Sequence, residues 1–510
     1  MPQYYSDDDD TLDHRRPSGN TSSIGIGIGS GSGHKLTQDK SHIELTPLGR
    51  DNNNNAIESK PFVHGKNGTS YDDDNDNYNY NDNYNEDEYD DEYDDSDDGS
   101  GSKSSGICVD DDGHGGPPPG SATNNQVVIN IIISFVGAGL LGVPDAFQQA
   151  GWVLGAITLM TVSGLNLYAM LLLPQVKRSL QAQGHEDICG YGDLGRCIMG
   201  PTGERFVQCC LGISQAGFAT AYLIFIAANL WSIANVPRGL VCLCCIPGLA
   251  ALVQFREMKS LAPFSLLANG ANACALMAVL FQDYESYTPH NDTIHRVKWE
   301  GFVYVIAITI YSMEGVGMIL SLQSSCKQPS RFPLLLRTVI TCISAFMAFF
   351  GAAGYWAFGN QTEAPITLNL AGHWSSTFVK LALCLGLYLT YPIMMFPIWA
   401  ISERLYPILG ESDKYRVSFR CGLVCISAFV GYAVPDFGKF LSLVGSSICT
   451  ILGFILPCYF HIKTRSNVAV WQYSLNVFLM VGGGIFGILG TYQSFVAMFE
   501  GEESLEEGQV

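Results

Sequence analysis

The stretch Gly137-Ala-Gly-Leu-Leu-Gly-Val-Pro144 lies inside an apolar segment that starts near Gln126. Three glycines and a proline this close together interrupt a helix. In a bilayer, backbone groups that lack helical partners are tolerated only where they are buried in protein or line a cavity. The stretch therefore predicts a membrane helix broken near its middle, and many secondary transporters build their substrate sites from such breaks.

The same glycines match the Gly-x-Gly-x-x-Gly spacing of dinucleotide-binding proteins. That fingerprint needs a preceding strand, a soluble βαβ unit and an acidic residue about 20 positions further on. Here the surroundings are apolar, and residues 154–162 contain no acid. We therefore exclude nucleotide binding. One alternative remains, which is that the glycines only allow a neighbouring helix to pack closely.

The first 124 residues differ in composition from the rest of the chain. They carry almost all of its net charge of −20 and include the run 71–98, which is mostly Asp, Asn, Tyr and Glu. Such a segment buries too little apolar surface to offset the entropy lost on ordering. We expect residues 1–124 to form a disordered, acidic, cytosolic tail without a signal peptide, which either binds cytosolic regulators or has no specific partner.

From Gln126 onward the sequence is a succession of apolar runs, each near the ~20 residues that cross a hydrocarbon core as a helix. We expect an all-α membrane domain over residues 125–499 with eleven transmembrane helices, and a short acidic, non-cytosolic tail over residues 500–510. The predicted spans are 126–146, 152–173, 206–234, 239–255, 261–281, 301–322, 333–358, 375–401, 417–434, 438–461 and 471–498.

The distribution of positive charge orients these helices. If the N-terminus is cytosolic, most Lys and Arg residues of the loops also face the cytosol, as the positive-inside rule requires. The glycosylation sequons at Asn291 and Asn360 then both fall on the opposite side, and we predict that both are glycosylated. Vacuolar, lysosomal and plasma membranes all fit the sequence.

A second interruption, Tyr311-Ser-Met-Glu-Gly-Val-Gly-Met318, lies in the sixth predicted span. An ionisable group inside a membrane is costly, so Glu314 is a candidate functional residue, although it could also be a structural cap for freed N–H groups. Two interrupted helices in corresponding positions predict an inverted repeat. Free N–H groups at helix N-termini suit a carboxylate, and free carbonyls at C-termini suit an ammonium or a cation, so a zwitterionic amino acid fits both.

Candidate substrate contacts come from both interruptions and from the third predicted span. The phenol of Tyr222 could reach a substrate carboxylate, with Gln215 as a weaker candidate. Glu314 and Thr390 are the candidate coupling residues, and Asp145, where the first span ends, is expected to face water. The candidate substrate-binding residues are Gly137, Ala138, Gly139, Leu140, Leu141, Gly142, Tyr222, Tyr311, Ser312, Glu314, Gly315 and Gly317.

Several segments resemble the amino acid/auxin permease family, in order along the chain, and are most similar to its proton-coupled and vacuolar branch. The resemblance implies a LeuT-like inverted repeat with broken first and sixth helices, a substrate held between them, and amino-acid transport that is commonly driven by protons. The segments are Val136-Gly-Ala-Gly-Leu-Leu-Gly-Val-Pro144, Gln149-Ala-Gly-Trp-Val-Leu154, Ser214-Gln-Ala-Gly-Phe218, Glu314-Gly-Val-Gly-Met-Ile-Leu320 and Thr390-Tyr-Pro-Ile-Met-Met-Phe-Pro397.

We therefore expect a secondary active amino-acid transporter coupled to protons, with sodium coupling as an alternative. An amino-acid sensor of the same fold that signals through the N-terminal tail is a second class. A membrane enzyme is not expected, because the sequence shows no cluster of acids, His or Cys near the membrane surface. The expected partners are an amino acid and membrane lipid, with no cofactor, no bound metal and no nucleic acid.

Overall fold

The computed structural model describes residues 120–185, 188–255, 270, 273–282, 284, 294–370, 374–434, 436–465 and 468–506. Within these ranges the regular secondary structure is helical, apart from an isolated β-bridge between Ala122 and Cys326. The predicted tail up to residue 119, the sequon at Asn291 and the last four residues of the predicted C-terminal tail lie outside the described residues.

The helices follow the apolar runs of the sequence. They are α1 Asn124–Phe135, α2 Val143–Ala150, α3 Trp152–Ala182, α4 Tyr191–Ala234, α5 Arg238–Leu252, α6 Ala273–Gln282, α7 Phe302–Ser312, α8 Ile319–Ser325, α9 Phe332–Phe358, α10 Trp374–Leu405, α11 Pro407–Glu411, α12 Asp413–Ala433, α13 Phe437–Val444, α14 Leu456–Thr464 and α15 Val470–Glu506.

The protein is a multi-pass membrane protein of the all-α class. In the described part of the chain, eight helical segments are long and apolar enough to cross a bilayer, and the bent pair Asn124–Phe135 and Ala138–Ala150 can form a ninth span. Helices α5 and α6 are apolar but shorter. The total of eleven spans remains a prediction, because part of the sequence between α5 and α6 is not described.

Among the helices that extend beyond the limits predicted from hydropathy, α4 and α15 are two clear cases. Helix α4 begins at Tyr191 rather than near residue 206, and it is kinked at Gly200, whose φ of 75° lies in the left-handed region, directly before Pro201. Helix α15 continues to Glu506, into residues predicted to be a tail. Hydropathy marks only the apolar part of a helix, so the polar ends of both helices escaped the sequence prediction.

The first span is interrupted at the glycine-rich stretch. Helix α1 ends at Phe135, Gly137 is extended, and a 3₁₀ turn over Ala138–Gly142 leads into α2. The two halves of the span are bent by 45° relative to each other. Pro144 lies in the first turn of α2, where its missing N–H removes no helical hydrogen bond.

The sixth predicted span is interrupted as well. Helix α7 ends at Ser312, and the chain resumes with a 3₁₀ turn over Val316–Met318 followed by α8. A third irregular region joins α13 to α14, where Gly445–Cys449 and Ile451–Ile455 are π-helical. Short π-helical segments are rare and occur frequently at functional sites.

Tight packing brings the first two interruptions together. Helix α2 packs against α7 and α9, while α3 packs against α7, α9 and α14. A Cβ atom on Gly139 would lie 2.7 Å from Ser312 Oγ and 2.9 Å from Ser312 Cα, so only glycine allows this approach. The glycine in the first break is therefore what permits contact with the second break.

Asp145 does not face water as its position in the sequence suggested. The residue is only 8% exposed, and Tyr304 on α7 donates a hydrogen bond of 2.6 Å to its Oδ2 atom. The packing of α2 against α7 encloses this carboxylate. The pair joins the second half of the first span to the first half of the sixth.

Candidate substrate-binding site

A cavity of about 360 Å³ lies where the two interrupted spans meet. Its walls come from α1, the turn that follows it, α4, α7, α8 and α10. Nine of the twelve residues predicted to contact substrate line it, and they come from all three of the predicted segments. These are Gly137, Ala138, Gly139, Tyr222, Tyr311, Ser312, Glu314, Gly315 and Gly317.

Four predicted residues lie outside the cavity lining. Leu140 and Leu141 are buried in the apolar core, and a Cβ atom on Gly142 would contact Leu441 on α13. A 3₁₀ turn has three residues per turn, so its successive side chains point in different directions. The hydroxyl of Thr390 donates to the carbonyl of Gly386 at 2.5 Å within α10, and that helix presents other residues to the cavity.

The sequence prediction missed part of the lining, although helical periodicity marks it. On α4, Leu211, Gln215, Phe218 and Tyr222 follow one another at intervals of three and four residues, which places them on one face of the helix. Gln215 was predicted as a weaker candidate, and a search for the face that it shares with Tyr222 would have found Leu211 and Phe218 as well. The further lining residues are Asn130, Ile133, Ser134, Phe135, Met318, Ser321, Leu322, Ser325, Ile393 and Met394.

The cavity holds polar atoms whose hydrogen-bonding capacity is unused. Each of these side-chain oxygens is buried and has no hydrogen-bond partner among the described residues. Leaving such a group unsatisfied costs about 1–3 kcal/mol, so a polar ligand that bonds to several of them is favoured. The atoms are Gln215 Oε1, Tyr311 OH, Ser312 Oγ, Glu314 Oε2 and Ser321 Oγ.

The interrupted spans also direct four helix ends towards the cavity. Helices α1 and α7 end there, at Phe135 and Ser312, so their last carbonyls lack helical donors. The turns that begin at Ala138 and Val316 start there, and their first N–H groups lack helical acceptors. The site therefore combines partial positive and partial negative charge within one small volume.

Glu314 lies between the two halves of the sixth predicted span. Its carboxylate accepts a hydrogen bond from the backbone N–H of Val316, so it does cap one of the freed groups. Its other oxygen, Oε2, is buried without a partner among the described residues. Capping therefore accounts for only one of the two carboxylate oxygens. Glu314 is 9% exposed and lines the cavity.

The rest of the lining is mostly apolar. The rings of Phe218 and Tyr311 pack edge to face at 4.9 Å between centroids. Phe135, Met318 and Met394 complete much of the apolar wall. Glu314 is the one charged side chain among the residues that line the cavity in the described part of the chain.

Comparison with known proteins agrees with this arrangement. A family model described as "Transmembrane amino acid transporter protein" matches residues 120–496. Amino acid transporter AVT3A of Arabidopsis thaliana is 35% identical over 71% of this chain and 87% of its own length. Amino acid transporter ANT1 of the same plant is 34% identical over 73% of this chain and 92% of its own length.

More distant proteins match as well. Vacuolar amino acid transporter 3 of Saccharomyces cerevisiae is 29% identical over 66% of this chain and 51% of its own length. Among solved structures, the nucleobase-cation-symport-1 family transporter MHP1 overlaps 74% of this chain and 93% of its own, with 13% identity and a TM-score of 0.46. From the family model and the plant relatives, the chain belongs to the transmembrane amino acid transporter family.

Proposed function

We propose that this protein is a secondary active transporter that couples amino-acid movement to protons at the cavity between the two interrupted spans. The observation that carries the proposal is Glu314. It is a buried carboxyl group in the cavity wall, with one oxygen capping Val316 and the other without a partner in the described residues. A carboxyl group that is exposed to a substrate cavity and buried from lipid can take up and release a proton as the cavity opens to each side.

The geometry supports one orientation of a bound amino acid. Its carboxylate meets the N–H groups at the start of the turn Ala138–Gly142, because the N–H of Val316 already bonds to Glu314. The hydroxyl of Tyr222 lies close to the same turn, 4.0 Å from the position of a Cβ atom on Gly137. This hydroxyl is therefore placed to donate a second hydrogen bond to the carboxylate.

The opposite end of the substrate meets acceptors. The carbonyls at the ends of α1 and α7, together with Ser312 Oγ and Gln215 Oε1, suit an ammonium group. The substrate side chain then contacts the apolar wall that contains Phe218 and Met394. A basic side chain would be desolvated there, and its one acidic partner among the described lining residues would be Glu314, the group that we propose binds the coupling proton. We therefore propose neutral amino acids as the substrate class.

The relatives suggest where the protein works. The Saccharomyces cerevisiae relative is named a vacuolar transporter. We propose that this chain also acts in a vacuole-like membrane, with the N-terminus in the cytosol. The proton gradient across such a membrane would then supply the driving force through Glu314.

The variant Glu314→Gln tests the coupling role. Glutamine keeps the size and most hydrogen bonds of the side chain but cannot bind and release a proton. In proteoliposomes, we expect the variant to exchange labelled for unlabelled neutral amino acid, while accumulation driven by a pH gradient falls to the level seen without a gradient. Wild-type protein with an imposed sodium gradient, in place of the pH gradient, tests the alternative coupling ion.

Three outcomes would contradict the proposal. Retained pH-driven accumulation in Glu314→Gln would assign coupling to another group. Accumulation by the wild-type protein that follows sodium instead of pH would replace the proton by sodium. Absence of any amino-acid flux in the wild type, together with amino-acid binding, would favour a sensor.

A further inference from the structure

A second buried polar side chain, which does not line the cavity, lies near Glu314. Asn166 on α3 is 1% exposed, and its Nδ2 atom donates a hydrogen bond of 2.8 Å to the carbonyl of Met313 in the interrupted region. Its Oδ1 atom is buried and has no partner among the described residues. Asn166 does not line the cavity, so substrate contact does not explain this buried acceptor without a partner among the described residues.

The contact with Met313 fixes which atom of the amide remains available. Rotating the amide by half a turn would place Oδ1 against the Met313 carbonyl, and two acceptors would then face each other. The amide therefore keeps its nitrogen on Met313, and Asn166 presents an acceptor on its other side.

The unused oxygens of Asn166 and Glu314 converge on one glycine. A Cβ atom on Gly453, in the π-helical segment Ile451–Ile455, would lie 3.5 Å from Asn166 Oδ1 and 3.7 Å from Glu314 Oε2. Both oxygens therefore lie within 4 Å of the same point. When the carboxyl group of Glu314 is ionised, both oxygens are hydrogen-bond acceptors and neither has a donor. When Glu314 binds one proton, its O–H group becomes that donor.

We propose that Asn166 is the positioning residue for the coupling proton, and that protonated Glu314 donates its Oε2–H group to Asn166 Oδ1. The inference rests on the proposed coupling role of Glu314. In the step itself, the carboxylate takes one proton from water in the cavity, and the new O–H bond points to the amide oxygen. When the cavity opens to the other side, the same proton returns to water, and the carboxylate and the amide are restored.

The surroundings of Glu314 add few competing groups. Two titratable side chains of packed elements face it in the described structure, the phenol of Tyr191 on α4 and the thiol of Cys449 in the segment Gly445–Cys449. The Tyr191 hydroxyl donates to the carbonyl of Leu452 at 3.0 Å, and the Cys449 thiol lies 3.8 Å from the hydroxyl of Ser214.

The test compares the pH dependence of uptake in full-length protein, wild type and Asn166→Leu, reconstituted in proteoliposomes. Leucine is similar in shape to asparagine but accepts no hydrogen bond. Loss of an acceptor for the protonated carboxyl should move the pH of half-maximal uptake down by about half to one pH unit. Exchange of substrate at saturating concentration should persist, because Asn166 lies outside the cavity.

Asn229→Leu is a matched control. Asn229 on α4 is also fully buried, donates through Nδ2 to a backbone carbonyl, that of Phe225 at 2.9 Å, and has an Oδ1 atom without a partner in the described residues. It lies two helical turns beyond the cavity residue Tyr222. We expect this variant to leave the pH profile unchanged, whereas an equal shift in both variants would overturn the specific role of Asn166.

Gly453→Ala tests whether the hydrogen bond between Glu314 and Asn166 is direct. The variant keeps both of these side chains and the hydrogen bond from Asn166 to Met313. The added methyl group would be at an ordinary van der Waals distance from the two oxygens. We expect an unchanged pH profile, because in the described structure only these two oxygens, outside the helix itself, lie within 4 Å of that point. A lost pH response would show that water or an ion lies there and would overturn the proposal, even if Asn166→Leu fails to fold.

The two proposals fail in different ways. If Glu314→Gln abolishes pH-driven accumulation but Asn166→Leu keeps the wild-type profile, only the role of Asn166 is wrong. If Glu314→Gln retains pH-driven accumulation, the proposed coupling function itself is wrong.

Discussion

At the scale of single residues, the site depends on glycines that allow the two interrupted spans to touch. Gly139 is the clearest case, since a side chain there would collide with both the backbone and the hydroxyl of Ser312. Gly315 is similarly enclosed, because a Cβ atom would overlap the ring of Phe135. These positions control the shape of the cavity, whereas the polar atoms control what binds in it.

We expect Gly139→Val to abolish uptake while the protein still inserts into the membrane, because valine is apolar but cannot fit against Ser312. The measurement is uptake normalised to the amount of protein in the membrane. Gly164→Val is the control, since Gly164 on α3 has no atom within 4 Å of its Cβ position. Normal uptake by Gly139→Val would mean that the two spans need not be in contact.

We expect Tyr222→Phe to raise the KM for amino acid about ten- to a hundredfold, because a hydrogen bond to a charged carboxylate is worth about 1.5–3 kcal/mol. Tyr391→Phe serves as the control. The Tyr391 hydroxyl is paired with that of Ser427 at 2.5 Å, and the residue does not line the cavity. An unchanged KM in Tyr222→Phe would remove this phenol from the substrate site.

At the scale of helices, a buried arginine on α12 links that helix to α5 and to α10. Arg420 on α12 donates to the carbonyl of Val253, at the end of α5, and to the carboxylate of Glu403 on α10, each at 2.9 Å. Its guanidinium group also lies 4.6 Å from the ring centre of Trp399 on α10. Through Glu403 and Trp399, Arg420 holds the end of α10 in place. This helix contributes Ile393 and Met394 to the cavity.

We expect Arg420→Gln to lower the free energy of unfolding by about 2 kcal/mol or more, because it leaves a carboxylate and a carbonyl without their charged donor. The effect is measured as the midpoint temperature of thermal unfolding in detergent, which size-exclusion chromatography monitors. Lys439→Gln should change it little, since the ion pair of Lys439 with Asp436 is partly exposed and spans 3.6 Å. Equal unfolding midpoints for Arg420→Gln and Lys439→Gln would contradict the proposed stabilising role of Arg420.

At the scale of the whole molecule, the orientation in the membrane follows from loop charge and is open to a direct test. Asn360 lies in an exposed turn after α9, and Lys298 donates to its side-chain oxygen at 3.2 Å. The loop before α7 and the turn after α9 therefore lie on the same side of the protein. A glycan on Asn360 therefore reports the side of the membrane on which both of these segments lie.

We expect Asn360→Gln to remove a glycan when the protein is expressed through the secretory pathway, because the predicted orientation places this turn on the non-cytosolic side. The mobility shift on glycosidase treatment measures it, with Asn291→Gln alone and combined to account for the second sequon. The N-terminal tail contains a further sequon, Asn67-Gly-Thr69, which we predict is not glycosylated. A mobility shift that survives the double change and depends on Asn67 would reverse the orientation.

The sequence by itself determined the class of the protein and the location of the site along the chain. Apolar runs of membrane-spanning length can only be satisfied as helices, and the glycine-rich break and Glu314 are too costly in a bilayer to be incidental. Local chemistry was enough for these conclusions, because the signals lie within single segments. The family match over residues 120–496 agrees with them.

Only the tertiary structure decided which residues of those segments share the cavity. Leu140, Leu141, Gly142 and Thr390 have the right position in the sequence, but a tight turn and a helix face direct them elsewhere. Asn166 and Gly453 lie far from Glu314 in the sequence, and packing brings them against it. Side-chain direction depends on how helices rotate against one another, and long-range packing sets that rotation where a single segment cannot.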